Sequence, residues 1–307
     1  MSVCRSNKGL GELTLKVEAE CAACIVNRAA AELTEATTNP ALRFRAMVEL
    51  LRLLSREFKP TAVPAHLGTK RDRLVKRITG NNDPYKRIKR ISNEKALKLL
   101  PYAKKIVEEG YAQWDRFKGA CLCAIVGNVM EFDIPGHKFT FGGLRKLFRE
   151  AGKDLVIDDT NKIYELAKEA DEILYLTDNA GEVVFDTLLV EQLKNMGVTV
   201  TVGVKGEAVL NDATLEDAEV SGMSKIADKL ITTGTDAVGL APKEFSKEFS
   251  EVYDSVDMVF AKGMGYAETL TEYKLKKPHA LLFRTKCNCV ANFFAVPRGK
   301  NIAKLML

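Results

Sequence analysis

The sequence predicts an α/β fold with a largely parallel sheet, preceded by a helical N-terminal region. Two observations predict it. Before about residue 154 apolar residues recur at helical spacing and no clean period-2 segment occurs. Beyond that point short β-branched runs alternate with amphipathic stretches, which implies βαβ units and parallel pairing. The division falls near residue 150, with a helical region over 1–150 and an α/β region over 151–307. No low-complexity linker separates them, so close packing is expected, and no internal repeat is found.

Taken in order, Leu42–Phe58 carries Phe44, Met47, Val48, Leu51 and Leu54 at helical intervals. Lys95–Gly110 repeats the pattern, and Trp114–Val129 continues it. Glu172–Leu176 (EILYL) is the first clear strand, followed by a helix over Val183–Met196 that stops at Gly197. Val198–Val204, Lys229–Thr233, Val256–Ala261 and Ala280–Arg284 read as further strands.

Composition narrows the class. The chain has 307 residues, 46% apolar and 28% charged, which suits a soluble globular protein of about two domains. Lys and Arg exceed Asp and Glu by 46 to 41, a formal charge of +5, mildly basic and compatible with anionic ligands. No run approaches the ~20 apolar residues of a membrane span; ACLCAIVG, Ala120–Gly127, is core-sized. The first residues contain no apolar signal region, and seven cysteines is an odd number. The expectation is a cytoplasmic protein with reduced thiols, or one with a thiolate metal site.

Ligands of open α/β sheets bind beyond the carboxyl ends of the strands. EILYL is followed by Thr177-Asp178-Asn179-Ala180-Gly181-Glu182, and VTVTVGV by Lys205 and then Asn211-Asp212. VDMVFA is followed by Lys262-Gly263-Met264-Gly265, and ALLF by Arg284-Thr285-Lys286. Hard oxygen donors suit a dication such as Mg²⁺ or Mn²⁺. Lysines beside a glycine turn suit a phosphate. One Asp-Asn pair after a strand is commonly an Asx turn or a helix N-cap; four such strand ends together point to metal-assisted phosphoryl chemistry.

The ordered set TDNAGEVVFD, LNDAT, AKGMGYAET and FRTKCNCVA resembles the damage-control metal-dependent phosphatase family, also called the domain of unknown function 89 family. Glu20-Cys21-Ala22-Ala23-Cys24 is similar to the E-C-x-x-C of its stand-alone microbial branch. Asn82-Asp83-Pro84-Tyr85-Lys86 with Lys89, and Gly127-Asn128-Val129-Met130-Glu131-Phe132, are similar to two more of its segments. The resemblance implies a helical region packed on a Rossmann-like α/β/α three-layer domain, makes 151–307 the metal- and phosphate-binding part, and places a divalent metal (Mn, Ni, Co or Mg) on Asp178, Asn179 and Asp212. It implies a phosphate contact from Lys286, although Arg-Thr-Lys is one residue shorter than the family's R-T-x-K. Glu131 where Asp is usual and Tyr266 where Asn is frequent are further departures. The implied substrate is a small phosphorylated metabolite, possibly a damaged or side-product one.

On this reading Lys262, Lys286 and Arg284, with the amides of Gly263 and Gly265, hold phosphate oxygens. Asp178, Glu182 and Asn128 serve the chemistry: Glu182 as a base or a supporting group, Asn128 reaching over from the helical half. A covalent phospho-aspartate on Asp178 is an open alternative. Two other functions compete: an S-adenosylmethionine-dependent methyltransferase, against which the first strand lacks a Gly-x-Gly loop, and a non-catalytic phosphate- or nucleic-acid-binding protein. The basic runs Lys70–Arg77 and Lys86–Arg90 are read as solvated helix faces, since no nucleic-acid motif accompanies them. Cys21 and Cys24 are open between a second metal site, a redox pair and core packing; with the Cys121/Cys123 and Cys287/Cys289 pairs, two pairs meeting in space could make a four-thiolate site, against which stand buried free cysteines or a disulfide. His66, His137 and His279 lack ligand spacing and are read as packing or surface residues.

Overall fold

The computed structural model describes residues 14–127, 146–148 and 150–307. Asn128, Glu131 and His137 lie outside these residues. Seven strands form one sheet in the order β1-β7-β6-β5-β2-β3-β4: β1 Leu155–Asp158, β2 Glu172–Leu176, β3 Thr199–Val204, β4 Lys229–Thr232, β5 Met258–Lys262, β6 His279–Arg284 and β7 Asn301–Met306. All pairings are parallel except β6 with β7. Counted from β2, the strands β4-β3-β2-β5-β6 follow the doubly wound order 3-2-1-4-5, whose direction of winding reverses between β2 and β5.

Five strands agree with the sequence reading, and β1 and β7 are additions to it. β1 is four residues long and alternates half-buried with exposed positions, while β7 is buried only over its first three residues. Neither shows the continuous apolar run of a strand buried on both faces, which EILYL does show.

The helices are α1 Glu20–Ala36, α2 Pro40–Glu57, α3 Pro64–Thr79, α4 Lys86–Glu108, α5 Gln113–Gly127, α6 Thr160–Glu169, α7 Glu182–Lys194, α8 Leu215–Ser221, α9 Lys247–Ser255, α10 Met264–Leu270 and α11 Asn288–Phe293. Side chains alternate across the sheet. Ile173, Tyr175, Val202, Phe260 and Leu282 join the α5 and α7 apolar residues in one core. Leu174, Leu176, Val259, Leu281 and Phe283 join α9, α10 and α11 in a second. A third core, from Ile25, Leu33, Leu50 and Leu74, holds α1, α2 and α3 together. α4 and α5 pack along α7 and so belong to the sheet's own layer, while α3 meets α10.

The two basic runs differ from the expected solvated faces. Arg71 pairs with Glu32 at 3.1 Å, both fully buried, and Lys76 reaches Asp236 at 2.7 Å. Lys89 reaches Asp83 at 2.8 Å and is also buried. Arg71 thus ties α3 to α1, Lys76 ties α3 to the loop after β4, and Lys89 ties α4 to the connection that precedes it. No described helix is long and apolar enough to cross a membrane.

His279 opens β6, fully buried. Its Nδ1 faces the Lys277 carbonyl at 2.8 Å and must donate to it, so Nε2 accepts from the Tyr253 hydroxyl at 2.8 Å. Burial holds its pKa down, at about 4 against an ordinary 6.5. Between those values the unfolded chain binds a proton that the folded one does not, so stability falls as pH drops through the window. Relative to His279→Gln, the natural protein is expected to lose up to about 3 kcal/mol between pH 7 and pH 4. Urea midpoints of the two proteins at both pH values check this. A constant difference between them would remove the assignment.

Candidate active site

The loops after β2 and β3 are zipped together beside the point where the winding reverses. Asn179 and Asp212 form an isolated antiparallel bridge. Ala213 N–H donates to Asp178 O at 2.7 Å and Ala180 N–H to Asn211 O at 2.8 Å. Asp178, Asn179 and Asp212, far apart in sequence, are thus held side by side by backbone. β5 approaches from the other flank. Gly263, at φ +89°, lies so close that a Cβ there would stand 2.0 Å from Asp178 Oδ2, which requires glycine.

The helical half braces the same loop. Asn93 of α4 accepts from Gly181 N–H at 2.6 Å and donates to Asp217 at 2.8 Å. Asp72 of α3 accepts from Leu210 N–H at 3.0 Å, stabilising the positive φ of Leu210 just before Asn211. The sequence reading did not single out Asn93 or Asp72; the buried faces of α3 and α4 also carry Arg71, Lys76, Lys89 and Ser92, so no isolated polar residue marked them.

Electrostatically the three donors are short of positive charge. Burial, then Glu182 and Asp212, raises the Asp178 carboxyl well above the usual range. Burial raises Asp212 to about 6, although Lys205 opposes it. Lys205 stands 3.7 Å from Asp212 Oδ2, but its ammonium is already given to the carbonyls of Ala237 (2.7 Å) and Gly239 (3.1 Å) and lies over the Tyr266 ring. Asn179 gives its amide nitrogen to Asp178 (2.7 Å) and Glu182 (3.1 Å), so the carbonyl oxygen is what it can offer a cation. Two carboxylates that raise each other's pKa and an amide oxygen, the Asp212 carboxylate buried and the other two half-buried, fit a hard dication.

These residues form the floor of a cavity of about 350 Å³. Lys286 lines it, and its charge acts on Asp178. Gly265 lines it too, in the first turn of α10, where helix N–H groups have no intrahelical partner. Arg28, Arg71, Glu268 and Arg298 complete much of the wall, none of them anticipated from sequence. Cys21, Cys24, Cys287 and Cys289 line it as well.

Three expected phosphate contacts require correction. Lys262 is fully buried beneath the site, bonded to Ala124 O (2.9 Å), Glu182 Oε1 (2.6 Å) and Asp186 Oδ1 (2.7 Å). Gly263 N–H donates to Leu282 O within the sheet, so it has no amide to give an anion. Arg284 turns to Asp154 (3.1 Å) and Asn301 (2.7 Å) and does not line the cavity. Glu182 is 1% exposed, with one oxygen on Lys262 and the other on the Asn179 amide. That places it behind Asn179, as a group that orients it. Cys121 and Cys123 are free and buried in the first core, away from the other described cysteines, so the two C-x-C pairs do not meet and the reading as buried free cysteines holds for them. Among the described residues no group of three or more His, Cys, Asp or Glu side chains is arranged to hold a metal.

Comparison with known proteins places this arrangement in context. A family model described as the damage-control phosphatase ARMT1-like domain matches residues 17–302. A damage-control phosphatase of Archaeoglobus fulgidus is 36% identical over 293 residues, 95% of this chain and 100% of that one. Another, from Pyrococcus horikoshii, is 35% identical over 287 residues, 93% of this chain and 96% of that one. An uncharacterized protein of Methanocaldococcus jannaschii is 36% identical over 294 residues, 94% of this chain and 95% of that one. A crystal structure of a domain of unknown function 89 family protein from P. horikoshii superposes with a TM-score of 0.82 at 34% identity, covering 94% of this chain and 98% of that one.

Proposed function

The chain belongs to the damage-control phosphatase ARMT1-like family, and from that premise we propose that it is a divalent-metal-dependent phosphatase of small phosphorylated metabolites, damaged or side-product ones among them. The observation that carries the reading is the convergence of Asp178, Asn179 and Asp212 beside Lys286 on the floor of one cavity. Those three residues would hold the metal, and their oxygen donors favour Mg²⁺ or Mn²⁺, with Co²⁺ and Ni²⁺ as further candidates. A dication held there supplies electrophilic polarisation of the phosphoryl group.

The chain's own residues do the rest. Lys286 and the first-turn amides of α10 offset charge developing on the phosphoryl oxygens. Lys262 fixes Glu182, Glu182 fixes the Asn179 amide, and so the carbonyl oxygen of Asn179 is aimed before any ligand arrives. The cavity volume suits a metabolite and is too small for a folded macromolecular substrate to enter.

Chelated protein is expected to lose at least ~10²-fold of its p-nitrophenyl phosphate hydrolysis, the scale of one lost electrostatic partner. Added Mn²⁺, Co²⁺, Ni²⁺ or Mg²⁺ should restore it. Full activity in excess chelator, or no turnover of any sugar phosphate or nucleotide with any of the four ions, would overturn the proposal.

A further inference from the structure

The cysteines of the cavity wall take no part in the chemistry above, yet the fold brings two separate cysteine motifs together. Cys21 lies in the first turn of α1, where its sulfur accepts from Glu18 N–H at 3.4 Å. Cys289 lies in the first turn of α11, with its Sγ 3.2 Å from Lys16 O. Asn292, one turn further along α11, donates to the Glu18 carboxylate at 3.2 Å. α11 therefore grips residues 16–21 with two side chains of one face, and the two sulfurs share the same turn of chain. Both belong to the second core and both line the cavity, so a small solute in the cavity reaches them.

The chemistry of the two sulfurs is unequal. The Cys289 hydrogen bond, with burial opposing it, lowers Cys21 to about 7, and the helix start favours its thiolate. The same contact keeps Cys289 protonated. Cys21 is therefore the sulfur that attacks first.

We propose that Cys21 and Cys289 form an oxidisable thiol pair that a peroxide closes into a disulfide joining the start of α1 to the segment carrying Lys286. The Cys21 thiolate attacks one peroxide oxygen and breaks the O–O bond, giving a sulfenic acid and hydroxide, which takes a proton as water. The Cys289 sulfur then attacks the Cys21 sulfur and loses its proton as the sulfenic oxygen departs in a second water. Two thiols and one peroxide become one disulfide and two waters. The bridge would staple one wall of the cavity to the loop beside Lys286. Cys24 is exposed, one turn further along α1, and is not needed for it. The pair stands on its own geometry whether or not the protein is a phosphatase, and its readout is a bond and not turnover.

Fully reduced, full-length protein is treated with equimolar hydrogen peroxide, alkylated, digested without reduction and mapped by mass spectrometry. The expected result is a peptide joining Cys21 to Cys289, lighter by two hydrogens than its reduced parts and reversed by dithiothreitol. Cys24→Ser should keep the bridge. Cys289→Ser should lose it and leave Cys21 as a sulfenic acid that dimedone traps. Cys21 remaining reduced, or joined to Cys24 or Cys287, would overturn the proposal.

Discussion

Asp178→Asn is expected to abolish phosphate-ester hydrolysis, by ~10³-fold or more, while leaving the metal-free protein as stable as the natural one or more so. The two halves of this expectation share one cause. In the folded chain burial, Glu182 and Asp212 together hold the Asp178 carboxyl well above its ordinary pKa. A carboxyl raised on folding favours the folded state fully only below its unfolded pKa, and that contribution is lost as pH rises towards the folded value. At neutral pH the natural chain therefore carries a cost that asparagine, neutral and of the same shape, does not. The Asn179 amide can still donate to the side-chain oxygen at position 178, where it now donates at 2.7 Å. Asparagine cannot, however, supply the negative charge that would draw in a dication. Manganese at a hundred times its Kd should stabilise the natural protein by about 2.7 kcal/mol. The variant should show a much smaller thermal shift. Equal metal-induced shifts, or a variant that retains a tenth of the activity, would show that Asp178 is not a ligand.

Why the cluster of Asp178, Asn179 and Asp212 could be read from sequence while its surroundings could not is a matter of where strands end. Asp178, Asn179 and Asp212 lie in loops beyond β2 and β3, and parallel topology delivers such loops to one edge of the sheet whatever the details. Lys262 and Arg284 also stand at strand ends, but they are the last residues of β5 and β6 and not the first of the loops. They therefore obey the sheet's alternation. Met258 and Phe260 point into the first core, and Lys262 follows them; Ala280 and Leu282 do the same, and Arg284 follows. A shift of one residue in the assumed boundary carries a side chain to the opposite face. The glycine turn was similarly recognisable, yet its reason is the Asp178 carboxylate packed against Gly263 and not an anion at its amide. The buried pairing of Arg71 with Glu32 and of Lys76 with Asp236 depends on acids distant in sequence, so composition alone could not distinguish it from a solvated face.

Lys262→Met is the substitution expected to cost the most stability. The Lys262 ammonium is 0% exposed and is shared by Glu182, Asp186 and the Ala124 carbonyl, and Asp186 also accepts from the Tyr175 hydroxyl at 2.8 Å. Burial works against the charged lysine, but Asp186 and Glu182 outweigh it and hold its pKa above the ordinary value. Burial likewise raises Asp186, to about 6, with Lys262 as the main opposing influence. Methionine fills the space of the side chain but leaves two carboxyl groups in an apolar core without their cation. Removing one partner of such a cluster costs about 3–5 kcal/mol, because the remaining charges stay desolvated. Neutralising the whole cluster should recover most of that loss, so the Lys262→Met, Glu182→Gln, Asp186→Asn triple variant should be markedly more stable than the single one. Activity should separate from stability at this point. The triple variant regains its fold but not the fixed Glu182 carboxylate behind the Asn179 amide, and so should bind Mn²⁺ less tightly than the natural protein. Urea unfolding of the three proteins at pH 7, with metal titrations on the folded ones, measures both. A single variant within 1 kcal/mol of the natural protein, on a scale where breaking such a cluster costs about 3 kcal/mol or more, would mean that the carboxyls are neutral without Lys262 and that the cation does not hold the site in place.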